Sequence, residues 1–86
     1  MDPRAILKDQ FLQIVDQQLK DDDPVHTRVT FERLQAAGHN KETVRLMIAQ
    51  CVAAEMRTVM ISGEPFNAAR YAQNLDRLPE PPESKS

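Results

Sequence analysis

Apolar residues recur at helical spacing along most of this chain, and short polar or proline-containing breaks separate the runs. Ile6, Leu7, Phe11, Ile14, Val15 and Leu19 form a stripe that predicts a first helix over 3–20. Asp2 is its expected N-cap and Pro3 its first helical residue, where a missing N–H costs nothing. Asp21, Asp22 and Asp23 place negative charge at the helix C-terminus and favour a stop. Asp23-Pro24 repeats the opening device, predicting a second helix over 24–37. Its expected buried positions are Val25, Val29 and Leu34, with Thr30 or Phe31 at the margin. Gly38 supplies a left-handed C-cap.

A third and longest helix is expected to begin after Asn40 and run to about Ser62, closed by Gly63. Asn67 then caps a fourth helix over 68–78, with Phe66 and Tyr71 spaced as a hydrophobic staple and Leu75 and Leu78 extending the apolar side. From Pro79 to Ser86 only prolines, acids, serines and a lysine follow, the composition of a disordered tail. No strand alternation persists. The expected fold is therefore all-α, a compact bundle of about four short helices in one domain over 1–78, followed by the tail 79–86.

The third helix carries the least expected residue. Val44, Ile48, Cys51, Val52, Met56 and Val59 share a broad face, Met47 and Met60 flank it, and Lys41, Glu42, Gln50, Arg57 and Thr58 cover the opposite side. Glu55 falls inside the apolar sector. A carboxylate there must be paired, hydrogen-bonded, protonated or set where the face opens. Arg70, Tyr71, His26 and His39 are the candidate partners from other elements. Arg45 also intrudes near the sector, but ten residues from Glu55 it is too distant for an intrahelical pair.

Composition narrows the chemistry further. Eighty-six residues hold one small core, and one cysteine excludes an intrachain disulfide. No apolar run is long enough to cross a bilayer and no signal peptide is visible, so a cytoplasmic, bacterial-type protein is expected with no membrane partner. A net charge of -2, scattered basic residues and few aromatics argue against specific nucleic-acid binding. His26 and His39 match no zinc spacing, and Asp21 to Asp23 lack the alternating oxygens and central glycine of a calcium loop. Cys51 has no activating neighbour in sequence and reads as a small buried apolar residue. With both glycines explained as helix terminators, no phosphate loop, metal or cofactor is expected.

The segments Phe31-Glu32-Arg33-Leu34, Ala37-Gly38-His39-Asn40, Met47-Ile48-Ala49 and Ala54-Glu55-Met56 resemble those of a small bacterial all-helical family of unknown function. Gly63-Glu64-Pro65-Phe66 and Ala69-Arg70-Tyr71, followed by Leu75, Leu78 and Pro79, extend the resemblance over roughly residues 24 to 79. It implies a helical fold and no mechanism. Some proteins with a similar segment carry a His-x-x-x-His pair after the turn glycine. The matching positions here are Glu42 and Leu46, so no metal role carries over.

These observations favour a small interaction protein, self-associating as a homodimer or binding a protein partner. The expected contact is the apolar side of Val44, Ile48, Val52, Met56 and Val59, with Glu55 and Arg45 setting register and Phe66 and Tyr71 fixing the last helix. Met47, Met56, Met60, Arg70 and Tyr71 complete the candidate interface or polar site. An enzyme or ligand-binding reading needs Glu55, a histidine and Tyr71 to meet in a cleft. A weak nucleic-acid module needs Arg28, Arg33, Arg45, Arg57 and Arg70 on one face. The placement of Glu55 predicts that Glu55→Gln weakens folding or assembly more than Glu42→Gln. Equal denaturation midpoints with unchanged oligomeric state would refute that.

Overall fold

Each helix of this protein is closed by a local backbone device, and the computed structural model shows how those devices aim the helices at one core. It describes residues 3–80, with side chains from Lys8 onward. Among the described residues there are four helices, α1 (Pro3–Asp21), α2 (Val25–Ala36), α3 (Lys41–Ser62) and α4 (Ala68–Arg77), forming a compact four-helix bundle. The expected cap at Asp2, the contributions of Ile6 and Leu7, and the chain from residue 81 lie outside the described side chains.

The α1–α2 corner is tight. Asp22 takes a left-handed φ of 52°, tolerable for an aspartate, and the Asp23 N–H donates to the Gln18 carbonyl at 3.1 Å. The expected Asp23 side-chain cap of α2 does not form. Pro24 itself occupies the cap position with φ -74° and ψ 147°, and no side chain caps the helix. At the other end of α2, Gly38 at φ 104° closes a Schellman motif, in which the His39 N–H donates to the Leu34 carbonyl and the Gly38 N–H to the Gln35 carbonyl. Asn40 accepts from the Thr43 N–H at 2.8 Å and opens α3; Gly63 at φ 72° ends it.

The core is built from Val15 of α1, Leu34 of α2, Val44, Ile48, Cys51 and Val52 of α3, Tyr71 and Leu75 of α4, and Leu78 just beyond it. Phe11, Leu12, Ile14, Leu19, Phe31, Met47 and Met56 pack around it half-buried. α3 lies at the centre and packs against each of the other three helices. No helix among the described residues is long and apolar enough to cross a membrane.

Two helical faces differ from expectation. On α2, Val25 and Val29 are half-exposed, and Thr27 and Thr30 are buried in their place beside Leu34. Leu34 is nearly in phase with Thr27 and roughly 140° from Val29 at 3.6 residues per turn. Apolar count pointed the valines inward, yet only one phase buries Leu34, and it is affordable because the Thr27 hydroxyl finds Gln18. On α3, Thr58 is buried instead of solvated, with its hydroxyl donating to the Ala54 carbonyl at 3.1 Å. Met60 correspondingly turns outward and is 85% exposed.

The corrected phase of α2 predicts a sharp contrast. Val29→Ser should change stability by no more than about 0.5 kcal/mol, because the site is surface. Leu34→Ala should cost about 3 kcal/mol by cavity formation. Denaturant midpoints of the two variants check this; equal losses would restore the valine-inward phase.

Candidate functional site

Glu55 lies midway along α3 with its side chain fully buried, on the same stripe as Val44, Ile48, Cys51 and Thr58. Its carboxylate is completely occupied. Arg70 of α4 donates through Nε to Oε2 at 2.8 Å and through Nη2 to Oε1 at 2.6 Å, a bidentate pair. The backbone N–H of Asn67 donates to Oε1 at 2.8 Å. Among the four partners offered by the sequence, Arg70 is the one that meets it.

The arrangement is a helix cap assembled from two helices. Asn67 caps α4 by accepting from the Arg70 N–H at 3.0 Å. In a capping box, a glutamate three residues after the cap would reach back to the cap's own N–H. Arg70 occupies that position here, so Glu55 of α3 supplies the missing carboxylate from across the interface. Phe66 and Tyr71 complete the start of α4 as a staple, with ring centroids 5.5 Å apart and planes tilted by 59°. Glu64 adds a longer, exposed ion pair to Arg70 at 3.7 Å.

A second polar node sits where α1, α2 and α4 meet. Gln18 Oε1 accepts from the Tyr71 hydroxyl and from the Thr27 hydroxyl, each at 2.8 Å. Burial pushes the Tyr71 phenol up to about 12, so it stays a proton donor to Gln18. At the far end of α4, Arg33 of α2 donates to the Leu75 carbonyl at 3.0 Å and the Leu78 carbonyl at 3.1 Å. The Leu75 carbonyl also accepts from the Leu78 N–H at 3.2 Å, and Arg33 adds a second donor at this helix end. His26 meets Asp76 at 2.9 Å on the surface between α2 and α4.

The remaining candidates are placed apart from this cluster. Arg45 forms a bidentate pair with Asp16 of α1 at 2.9 and 2.8 Å and also meets Glu42, away from Glu55. Met47 and Met56 pad the core, whereas Met60 faces solvent. Glu55, His26 and the Tyr71 hydroxyl each serve a different contact, so they do not converge as an acid–base set. Cys51 is buried, and burial pushes its thiol up to about 12, keeping it protonated and unreactive. Among the described residues no group of three or more His, Cys, Asp or Glu side chains could hold a metal ion. Nothing in the sequence points to Gln18, and Arg33 enters there only as part of a possible basic face, not as a donor to the end of α4. Neither residue carries a pattern that marks it, since the Arg33 contacts and the Gln18–Tyr71 bond join positions 42 to 53 residues apart.

No protein-family model, curated protein or solved structure matches the chain. The geometry alone describes what the cluster does. It holds the start of a ten-residue helix against α3.

Hydrogen bonding to Arg70 outweighs the opposing effect of burial and holds the Glu55 carboxyl below its ordinary value of 4.5. A carboxylate with a depressed folded-state pKa contributes stability above the unfolded value, and that contribution fades as pH falls through the folded one. Glu55→Gln should therefore cost about 2 kcal/mol near neutrality, the scale of charge-assisted hydrogen bonds. The difference from wild type should shrink only on acidification below 4.5. Urea midpoints across pH 2 to 8, on the order of ten conditions, check both the loss and its pH window.

Proposed function

We propose that this chain is a small cytoplasmic protein-interaction module that self-associates through the C-terminal end of α3 and the loop after it. One observation carries the reading. Within seven residues, Met60 is 85%, Ile61 58% and Phe66 42% exposed, while the rest of α3's large apolar side chains except Leu46 are at least half-buried. Exposed apolar groups scattered singly need no explanation, but a group concentrated at one end of a helix marks a contact surface. Methionine suits such a surface because it adapts to the shape opposite it.

The location differs from the contact expected along α3. Val44, Ile48 and Val52 are interior residues of the chain's own core and are not available to a partner. Glu55 and Arg70 satisfy each other, which fits a structural pair better than an acid–base group awaiting substrate. Arg28 and Arg45 pair with carboxylates and Arg33 with carbonyls, which supports protein contact over phosphate binding. The family resemblance adds no activity to this reading.

Absolute molar mass by light scattering, followed across a wide concentration range, tests it. Wild type should gain mass with concentration. Met60→Lys combined with Ile61→Lys should weaken association at least about tenfold, or about 1.4 kcal/mol, with unchanged helicity. A wild-type chain that stays monomeric throughout overturns the proposal.

A further inference from the structure

We infer that α4 is an exchangeable element, which docks on the α1–α2–α3 body of a second copy of this chain in the same way as on its own. The inference rests on the reading of the α3 end as a contact surface, and it specifies the partner and the mode of association.

Three features lead to it. First, α4 has ten residues, a length at which an isolated helix is marginal in water, so it depends on its dock. Second, its described polar tethers are directional contacts to other helices: Glu55 of α3 at its start, Gln18 of α1 at Tyr71, and Arg33 and His26 of α2 near its end. A neighbour's α4 would find the same donors and acceptors, so exchange forfeits none of these contacts. Third, the connection 63–67 is exposed along its length. Gly63 at φ 72° makes the turn and, lacking a side chain, can also open to an extended conformation. Pro65 prevents α3 from simply running on as a helix through the connection.

The exposed apolar residues favour the exchanged form. Met60 and Ile61 immediately precede the hinge and Phe66 lies within it. In a reciprocal twofold dimer the two hinges pass each other near the axis. Met60, Ile61 and Phe66 of the two copies then cover one another, which the closed monomer does not allow. This new contact, the changed backbone at Gly63 and the entropy of association distinguish the two forms energetically.

A charge-exchange pair tests docking in trans. Glu55→Arg and Arg70→Glu each place like charges together within one chain, disfavouring self-docking of α4. When the two variants are mixed, reciprocal exchange sets Arg70 against Glu55 at one dock and the reversed pair at the other. The expected result is a one-to-one hybrid dimer by native mass spectrometry, at least tenfold more abundant than either homodimer. Absence of the hybrid, with each chain folded, overturns the inference.

A second variant covers the case in which the single charge changes unfold the chain. The Asn67 N–H must return to Glu55, eight residues back along α3, roughly 12 Å at 1.5 Å per residue. Side chains tilt toward the helix N-terminus, which lengthens that return. A chain lacking Glu64 and Pro65 has only about 7 Å of backbone between Gly63 and Asn67, too little for self-docking. It should be a dimer with wild-type helicity. A monomer or an unfolded chain overturns the inference. Loss of wild-type association on Met60→Lys and Ile61→Lys, with no dimer from the shortened chain, would retain the surface and discard the exchange.

Discussion

A single buried carboxylate organises the attachment of α4. Glu55 costs free energy to desolvate, and that cost is met only because Arg70 and the Asn67 N–H together occupy both of its oxygens. Neither contact exists unless α4 is docked with its start against the middle of α3. The pair therefore acts less as a source of net stability than as a constraint on register. A sliding or rotated α4 would leave a charge buried without a partner, and that penalty is larger than the gain from any one apolar contact.

The other polar contacts of α4 follow from that placement. With Asn67 held at Glu55, Tyr71 faces inward one turn later and its hydroxyl reaches Gln18 beside Thr27. Leu75 and Leu78 continue the same stripe into the core, and their carbonyls come within reach of Arg33. Asn67 caps the start with its own side chain, and other helices add Glu55 at the start and Arg33 at the end. For a ten-residue helix this external capping replaces the cooperativity that a longer helix would have of itself. The polar contacts that tie α4 to the rest of the bundle come from the other three helices, which is the basis on which it is proposed to dock on another copy.

The surface reading and the core reading of α3 are two sides of one rotation. Burying Val44, Ile48, Cys51, Glu55 and Thr58 turns Met60 and Ile61 outward, near the hinge into α4. Three of the exposed large apolar side chains, Met60, Ile61 and Phe66, therefore lie at the connection into α4, where the proposed contact would form.

Local chemistry along the chain was enough for the all-α class, the helix boundaries near Gly38, Asn40, Gly63 and Asn67, the staple of Phe66 on Tyr71, and the anomaly of Glu55. Caps and left-handed glycines act within a few residues, so their chemistry is written locally. Tertiary structure decided the rest. It chose Arg70 over Tyr71 and two histidines as the partner of Glu55, and it sent Arg45 to Asp16 on α1. It rotated α2 so that two threonines lie inside and two valines outside, against their hydropathy, because burial is set by the neighbours a face meets. Gln18 illustrates the limit: an ordinary polar residue in α1 becomes a buried junction only when helices from distant parts of the chain bring Thr27 and Tyr71 to one oxygen.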